Sequence, residues 1–461
     1  MNVPDIKNRL PDGPLVTYYG DDFTGSTDVM EAFTASGIPT VLFLQLPRPE
    51  DLTRFKDMRC IGLAGQSRGQ TPEWMQSELP PVFASLASIG APILQYKVCS
   101  TFDSSASTGS IGRAIDIGTA ITNGHWSPMV VGAPRLKRFQ VFGQLFAAAN
   151  GVVYRIDRHP TMSRHPVTPM DEADLRLHLA KQTNRRIELI DIDDIAQAQS
   201  QSKLSNLAAS DQPVIMIDVT DTVTQIEAGR LIWENRGKQV FSASSSGLQY
   251  ALAAYWRSQH WLPSATALPT AAPVPCIAAV SGSCSPMSAQ QIQWARNNGF
   301  ECTRLNISEV LREQTTEREI VRLTALALAA IKRTISPIIF SAEGPDDPEV
   351  LNFDLIAHQA KLNRIQAAHR VGQALAEIMR RILDGSRISR VVVAGGDSSG
   401  AVGSHLGIRA LTLCAGMAPG VPLCRAWSDD PARDGLEIAL KGGQLGGINF
   451  YGLIQSGCSN G

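Results

Sequence analysis

The 461-residue sequence lacks several features that mark particular classes of protein. Lys and Arg number 42 against 43 Asp and Glu, a net charge of -1, so the positive surplus of nucleic-acid and membrane-surface binders is missing. No run of about 18 uncharged apolar residues occurs, which excludes a membrane-spanning helix. Pro4, Asp5 and Lys7 stand where a secretory signal needs apolar residues, so we predict a cytoplasmic protein.

Cysteine and histidine give no metal-binding or disulfide pattern. The eight cysteines are scattered without a C-x-x-C pair, and the eight histidines form no H-E-x-x-H motif. Structural zinc sites and disulfide frameworks need tighter clustering. We therefore predict buried thiols in a reducing compartment and no protein-held transition metal.

What the sequence does contain is a regular alternation of strand and helix patterns. Apolar residues make up 44% and charged residues 18%, which is enough for packed cores, and the length favours more than one domain of ~150 residues. Uniformly apolar strands separated by helices predict α/β domains, each with a mostly parallel sheet flanked by helices. The strand-like runs lie at 15–19, 40–44, 60–64, 93–98, 129–131, 187–190, 214–217, 275–280, 337–340 and 389–394.

One segment interrupts the alternation. Residues 262–273 (LPSATALPTAAP) are rich in Pro, Ala and Thr, which is typical of a linker. We therefore predict an N-terminal α/β domain over 1–257, a linker over 258–274 and a C-terminal α/β domain over 275–461. The active site is expected in the cleft between the two domains.

Three glycine- and serine-rich loops follow predicted strands of the C-terminal domain. They are residues 281–285 (SGSCS), 395–400 (GGDSSG) and 441–447 (KGGQLGG). Ligands of open α/β sheets bind outside the carboxyl ends of strands, and the middle loop precedes a helix that we predict to begin near Ala401. Its amides suit a phosphate, although neither a P-loop nor G-x-G-x-x-G is present. A tight turn without a ligand is the alternative.

The N-terminal domain carries acids, hydroxyls and bases after its strands. Residues 20–25 (GDDFTG) contain two adjacent carboxylates, which repel unless a ligand or donors satisfy them. Capping of the next helix is an equal alternative. Residues 100–105 (STFDSS) and the bases at 135–138 follow other strands. Together they suit a small anionic substrate, although each segment taken singly is also typical of a solvated loop.

A predicted non-helical stretch, residues 158–171, holds two histidines and two arginines. The planar fork of arginine suits a carboxylate. The alternative is that Thr168 or Asp171 caps the helix that follows.

Five motifs, taken in order, resemble the signatures of the four-carbon acid sugar kinases. The resemblance implies an N-terminal domain that binds an acid sugar and a C-terminal domain that binds ATP. It also implies phosphoryl transfer to a terminal hydroxyl of threonate, erythronate or 3-oxo-tetronate. The matching motifs lie at 20–25, 165–170, 281–285, 395–400 and 441–446, and so span nearly the whole chain.

One motif departs from the family. Many relatives have an S-T-x-R-G-like sequence where this chain has residues 100–105, and Arg113 comes only later. The departure indicates a subgroup with another acid sugar as substrate, such as the branched 3-oxo-isoapionate.

The resemblance and the chemistry of the motifs together assign roles to single residues. ATP is expected with Mg²⁺ bridging its β- and γ-phosphates. Asp397 is our first candidate for the carboxylate that accepts the hydroxyl proton, and Asp22 is the second. We expect nucleotide contacts from Ser281, Ser283, Gly395, Gly396, Asp397, Ser398, Ser399, Gly400, Gly443 and Gly446. We expect acid sugar contacts from Asp21, Asp22, Thr24, Ser100, Ser104, Arg135, Arg158 and Thr168.

Two other functions stay open at this point. A dinucleotide-dependent oxidoreductase is disfavoured by the missing G-x-G-x-x-G motif, and a non-catalytic sugar-acid-binding or regulatory protein would keep the same fold. The expected partners are a small sugar acid and ATP, without nucleic acid or membrane. The sequence leaves open the identity of the acid, the hydroxyl that reacts and the oligomeric state, a homodimer included.

Overall fold

A computed structural model describes residues 10–149, 151–165, 167–263 and 268–457, apart from the side chain of Asp397. The chain divides into two compact units, Met1–Ala267 and Leu268–Gly461. Both units are α/β with mostly parallel sheets flanked by helices, which confirms the predicted fold class. Part of the predicted linker, residues 264–267, lies outside the described residues, and residues 259–263 and 268–274 carry neither helix nor strand.

The first unit alternates strands and helices as the apolar runs indicate. In chain order its elements are β1 (Val16–Gly20), α1 (Phe23–Thr34), β2 (Thr40–Phe43), α2 (Pro49–Arg54), β3 (Cys60–Ala64), α3 (Pro72–Ser88), β4 (Ile93–Lys97), α4 (Ile111–Thr122), β5 (Ser127–Met129), β6 (Arg138–Val141), β7 (Gln144–Ala149), β8 (Val152–Arg155), α5 (Leu175–Ala180), β9 (Ile187–Ile190), α6 (Ile192–Ala196), α7 (Ser200–Leu207), β10 (Val214–Ile217), α8 (Thr222–Glu234), β11 (Val240–Ser244) and α9 (Gly247–Ser258).

A parallel sheet in the order β11-β4-β1-β3-β2 forms the centre of this unit. Every residue of β1, β3, β4 and β11 is buried, as expected for parallel strands covered on both faces. Because these strands run in one direction, the residues that follow β1, β3 and β4 meet at one edge of the sheet.

Two smaller sheets complete the first unit. Strands β5, β10 and β9 are parallel, whereas β6, β7 and β8 form an antiparallel meander that the sequence did not predict. Serine side chains join β5 to the edge strand β11: Ser127 Oγ donates to the Phe241 carbonyl (2.9 Å) and Ser242 Oγ to the Pro128 carbonyl (2.9 Å). These bonds satisfy buried carbonyls without a backbone ladder.

The second unit carries one sheet in the order β16-β17-β18-β15-β12-β14-β13. Its strands are parallel from β18 to β13, and β16 and β17 form a long antiparallel pair beside β18. Its elements are β12 (Ala278–Ser281), α10 (Pro286–Asn297), β13 (Glu301–Arg304), α11 (Ile307–Leu311), α12 (Glu313–Lys332), β14 (Pro337–Phe340), α13 (Pro348–Leu351), α14 (Phe353–Gln359), α15 (Arg364–Asp384), β15 (Arg390–Ala394), α16 (Gly396–His405), β16 (Ile408–Ala418), β17 (Val421–Ser428), β18 (Glu437–Lys441) and α17 (Phe450–Ser456).

Helix α16 begins five residues earlier than the sequence predicts. Gly395 adopts a φ of +116° directly after β15, and the helix starts at Gly396 instead of near Ala401. The Ser399 amide already bonds the Gly395 carbonyl at 2.9 Å. The glycine- and serine-rich composition is typical of a loop, but the sharp turn that only glycine readily adopts allows the helix to start at once.

The stretch at 158–171 also differs from the prediction. It contains part of one 3-10 turn, Ile156–Arg158, and the whole of another, Met162–Arg164. Helix α5 is capped by Asp174, whose carboxylate accepts from the Arg176 amide, and not by Thr168 or Asp171. Among the described residues, no helix is long and apolar enough to cross a membrane.

Candidate functional site

The second unit brings the three glycine- and serine-rich segments together. They follow β12, β15 and β18, which are adjacent parallel strands, so they meet at one edge of the sheet. The Gly282 amide donates to the Ala394 carbonyl (2.9 Å), and the Gly395 amide donates to the Lys441 carbonyl (2.8 Å). We call this arrangement the glycine cradle: residues 282–285, 395–398 and 442–447.

Glycine is required where the segments of the cradle touch. A Cβ atom on Gly282 would lie 2.1 Å from Ser398 Oγ, and one on Gly443 would lie 2.6 Å from Ser283 Oγ. A Cβ on Gly396 would meet nothing within 4 Å, so this residue borders open space. The cradle is therefore tightly packed inside and open at the start of α16.

The first turn of α16 supplies backbone donors. The amides of Gly396, Asp397 and Ser398 have no acceptor within the helix, as in the first turn of any α-helix. At three of the predicted nucleotide contacts the hydrogen-bonding groups are used within the protein or buried. The amides of Ser399 and Gly400 are used inside the helix, the Ser399 hydroxyl donates to the Gly395 carbonyl (2.7 Å), and the Ser281 side chain is completely buried.

Asp397 lies in the first turn of α16, but its side chain is outside the described part of the structure. Its candidate role as the proton acceptor therefore stays a prediction.

Two buried side chains that the sequence analysis missed hold the loop at 442–447. Lys441 Nζ donates to the carbonyls of Gly442 and Gly443, both at 3.0 Å. Gln291 Nε2 lies 3.0–3.3 Å from three further loop carbonyls. With these carbonyls turned inward, the amides of Gly443 and Gly446 bond no other described group and remain available to an anion.

Lys441 is unusual because it is completely buried. Burial lowers the pKa of its ammonium to about 7. Among the residues that the structure describes, no carboxylate forms an ion pair with it. Its sequence signal is a lysine at the end of an otherwise buried apolar strand, β18, where lysine is rare unless paired.

In the first unit, one arginine holds the two adjacent carboxylates. Arg68 Nη2 lies 2.7 Å from Asp21 Oδ1 and 2.9 Å from Asp22 Oδ1, and Arg68 Nη1 lies 2.9 Å from Asp22 Oδ2. Asp22 also accepts from Thr24 Oγ1 (2.7 Å) and from the Gly25 amide (2.7 Å), and so caps α1. The capping alternative is therefore correct for Asp22, and the Thr24 hydroxyl is used within this turn.

The two carboxylates differ electrostatically. Burial raises the pKa of Asp21, and the charge of Arg68 does not fully offset this effect. Burial also acts to raise the pKa of Asp22, but Arg68, Lys97 and the hydrogen bonds outweigh it and lower the pKa. Asp22 therefore stays ionised with both oxygens occupied, which does not suit the general base that we predicted as the second candidate.

A second pair that the sequence analysis missed, Lys97 and Asp28, has unused hydrogen-bonding capacity. Lys97 ends β4 and is 2% exposed, and its Nζ lies 3.6 Å from Asp28 Oδ2. Within the described part of the chain this ammonium makes no hydrogen bond, and Asp28 Oδ1 is buried without a partner. A Cβ on Gly25 would lie 3.2 Å from Lys97 Nζ, so the Gly25 backbone directly borders the pair.

Arg138 extends the charged region around Lys97. Cys99 interacts electrostatically with both Arg138 and Lys97, so the two cations lie in the same region. Burial lowers the pKa of Arg138, and its Nε is buried without a hydrogen-bond partner among the described groups. We call Asp28, Arg68, Lys97 and Arg138 the charged cluster.

Other predicted acid sugar contacts lie elsewhere. Ser104 is 1% exposed and bonds the Phe102 carbonyl and Gln182, while the Thr168 hydroxyl bonds His165 at 3.1 Å, so neither hydroxyl is available to a ligand. Arg158 and Arg135 are exposed and Ser100 is half-buried. Arg135 and Asp28 both interact electrostatically with Tyr250.

Known proteins that resemble this chain contain both a sugar-binding and a nucleotide-binding domain. The family models described as the sugar-binding N-terminal domain and the nucleotide-binding C-terminal domain match residues 16–252 and 278–451. The chain is 62% identical over 447 residues to the 3-oxo-isoapionate kinase of Paraburkholderia graminis, covering 97% of this chain and 95% of that protein. The chain belongs to the four-carbon acid sugar kinase family.

Less similar relatives of this kinase family member also align with nearly its whole length. The 3-oxo-tetronate kinase of Cupriavidus necator is 28% identical over 443 residues, covering 95% of this chain and 96% of that protein. A solved structure from Salmonella typhimurium LT2, described as a tRNA synthase, has a TM-score of 0.76 at 24% identity and covers 95% of this chain and 98% of that one. The Haemophilus influenzae protein HI1011 has a TM-score of 0.69 at 22% identity, with coverages of 95% and 99%. These two structures share the fold.

Within this acid sugar kinase family member, each set of groups falls inside one family domain. The charged cluster lies within the sugar-binding match, and the glycine cradle lies within the nucleotide-binding match. The charged cluster is built from side chains, whereas the glycine cradle is built largely from backbone.

Proposed function

We propose that this chain transfers the γ-phosphoryl group of ATP to a hydroxyl of 3-oxo-isoapionate. The observation that carries the substrate is the 62% identity, over 97% of the chain, to a 3-oxo-isoapionate kinase, against 28% to a 3-oxo-tetronate kinase. The family relatives support the reaction type, a kinase that acts on a sugar acid. The departure at residues 100–105 supports the same subgroup.

The glycine cradle supports polyphosphate binding. The first-turn amides of α16, the positive end of its dipole and the amides of Gly443 and Gly446 are donors that suit phosphate oxygens. Among the described residues, no group of three or more His, Cys, Asp or Glu side chains could hold a metal ion. In our proposal the phosphate oxygens and water therefore provide most of the ligands of Mg²⁺, which neutralises charge on the nucleotide.

The charged cluster supports recognition of the acid sugar. The unused donors of Lys97 and the buried Nε of Arg138 suit the carboxylate and the 3-oxo group. Asp28 Oδ1 is an unused acceptor that suits a substrate hydroxyl. Asp21, Asp22 and Arg68 bind one another, so in this proposal they fix the edge of the site and do not contact the substrate.

The reaction itself asks for positioning and one proton acceptor. The substrate oxygen bonds the γ-phosphorus while the bond from that phosphorus to the β–γ bridging oxygen breaks, and ADP leaves. A carboxylate takes the hydroxyl proton, and Asp397 remains our candidate because Asp22 has both oxygens occupied. Asp397→Asn should abolish turnover while largely sparing ATP binding.

An ADP-release assay with a panel of acids tests the proposal. With Mg²⁺ and ATP, we expect kcat/KM for 3-oxo-isoapionate to exceed that for 3-oxo-tetronate, threonate and erythronate by about tenfold or more. Removal of divalent cations with a chelator should stop turnover. A higher kcat/KM for 3-oxo-tetronate would overturn the substrate assignment. Thermal stabilisation by the acid without any ADP release would instead favour a binding protein.

A further inference from the structure

Lys441 is a buried cation whose hydrogen-bond acceptors, among the groups that the structure describes, are all neutral. Its Nζ donates to the Gly442 and Gly443 carbonyls at 3.0 Å and to Ser288 Oγ at 3.4 Å. Three donors matched to three neutral oxygens fit an ammonium, but they supply no compensating charge. An uncompensated buried charge is costly, so this arrangement favours an anion as its missing partner.

The same residue joins two segments of the glycine cradle. Its side chain holds the 442–447 loop, and its backbone carbonyl accepts from the Gly395 amide at 2.8 Å, immediately before α16. It also lies beside Ala394 in the register of β15 and β18. Lys441 is therefore connected to two of the three segments of the glycine cradle.

We infer that Lys441 is the positioning residue and charge source of the polyphosphate subsite, and that nucleotide binding stabilises its protonated form. It acts through the loop, by keeping the Gly442 and Gly443 carbonyls away from the phosphates. This inference rests on the proposed function, because it requires that the cradle bind a nucleotide.

The surroundings of Lys441 contain few ionisable groups. Helix α10 contributes Ser288, and α17 contributes the ring of Phe450, whose centroid is 5.9 Å from Nζ. The neighbouring Tyr451 interacts with Ser281, and burial raises its pKa. The side chain of Asp397, in α16, is outside the described part. Among the described groups no charge offsets the burial of Lys441, so burial dominates its pKa.

The sign of the pH effect follows from this environment. The pKa of Lys441 is about 7 in the ligand-free protein, so the ammonium loses its proton as the pH rises above that value. Bound phosphate favours the charged form and raises the pKa. Nucleotide affinity should therefore fall with increasing pH above about 7, by at most about tenfold per pH unit.

The test is calorimetric titration of ADP with Mg²⁺, and of inorganic tripolyphosphate, at about pH 6, 7 and 8.5. For Lys441→Met we expect at least about tenfold weaker binding at the lowest pH and loss of the pH trend seen in the wild-type protein. Gln291→Leu removes hydrogen bonds to the same loop but no charge, so it should weaken binding and keep the trend. Exposed Lys332→Met, at the end of α12, controls for general charge removal.

The outcomes separate the two proposals. If Lys441→Met binds as the wild-type protein does, or keeps its pH trend, the inference is wrong even though the cradle binds nucleotide. If the wild-type protein binds neither probe, the proposed function fails. Circular dichroism checks folding, and Lys441→Arg serves if the methionine variant does not fold. Because arginine stays charged, that variant should bind without the decline above pH 7, and a persisting decline would overturn the inference.

Discussion

Lys97 and Lys441 occupy equivalent places in the two units but have opposite surroundings. Each is the last residue of a buried parallel strand and is almost or completely buried. Lys97 lies 3.6 Å from Asp28 and close to Arg68 and Asp22, in a region of mixed charge. Within the described part of the second unit, Lys441 bonds only neutral oxygens.

The difference shows how one structural position can serve two kinds of ligand. Mixed charges with unused donors and acceptors suit a small molecule that carries hydroxyls and one carboxylate, because both signs find a partner. A cation without a counter-ion suits a polyanion, since the ligand supplies the missing charge. A buried lysine at the end of a strand therefore does not by itself indicate the class of ligand. The charges of the residues around it do.

Removal of Arg68 should have the largest effect on the mixed-charge side of this comparison. Arg68→Met leaves Asp21 and Asp22 adjacent without the guanidinium that joins them. We expect the free energy of unfolding, from urea denaturation at neutral pH, to fall by about 2–4 kcal/mol. The loss should shrink as the pH is lowered, because protonation of a carboxylate removes the repulsion.

Arg68→Lys is the matched variant for this prediction. It retains one positive charge but cannot bridge both carboxylates with a planar fork, so an intermediate loss is expected. Unchanged stability of Arg68→Met would show that the neighbouring cations already balance the two carboxylates.

Substitution of each buried lysine separately tests whether the two units bind different ligands. Lys97→Met should lower kcat/KM for the acid sugar by about 100-fold, through loss of a charged hydrogen bond to the substrate, and leave the Kd of ADP almost unchanged. Lys441→Met should do the reverse. Steady-state kinetics and calorimetry on both variants measure this crossed pattern. A parallel loss of both affinities in either variant would contradict the division of roles.

The last prediction concerns the stability of the ligand-free protein. The pKa of Lys441 is about 7 in the folded chain, and the ordinary lysine value near ~10.4 applies after unfolding. Between these values the unfolded chain binds more protons, so Lys441 makes stability increase with pH, by at most ~1.4 kcal/mol per pH unit. Urea denaturation of the wild-type protein, Lys441→Met and Lys332→Met should show this contribution lost only in Lys441→Met. Parallel curves for all three would contradict it.

The fold was predictable because its strongest signals are local. Uniformly apolar runs identified most of the parallel strands, although β11 and β13 were missed. The glycine-rich motifs stand where such strands end, as at β15 and the turn of Gly395. The start of α16 was not predictable from composition, since residues 396–400 are poor helix formers that the turn at Gly395 and the packing against Gly282 hold in place. The meander β6–β8 was likewise missed, because it depends on pairing and not on apolar runs.

The site was predictable only where a motif carries its own chemistry. Asp21 and Asp22 were found as a pair, but their partner Arg68 is 46–47 positions away and follows another strand. In the sequence, Lys97 and Lys441 are single charged residues at the ends of apolar strands. Their roles could not be predicted because their contacts come from distant parts of the chain. Ser104, Ser281 and Ser399 show the opposite case: their motifs predict ligand contact, whereas in the fold their hydroxyls are bonded within the protein or buried.

The cradle's reliance on main-chain atoms has a consequence for altering this catalyst. Amides survive most side-chain exchanges, so random mutagenesis should leave phosphate recognition intact except at a few positions such as Gly282, Gly443 and Lys441. The charged cluster consists of side chains, so single substitutions there can change which acceptor is preferred. A library confined to the neighbourhood of Asp28, Lys97 and Arg138 would therefore search new acceptors while the phosphoryl donor stays the same.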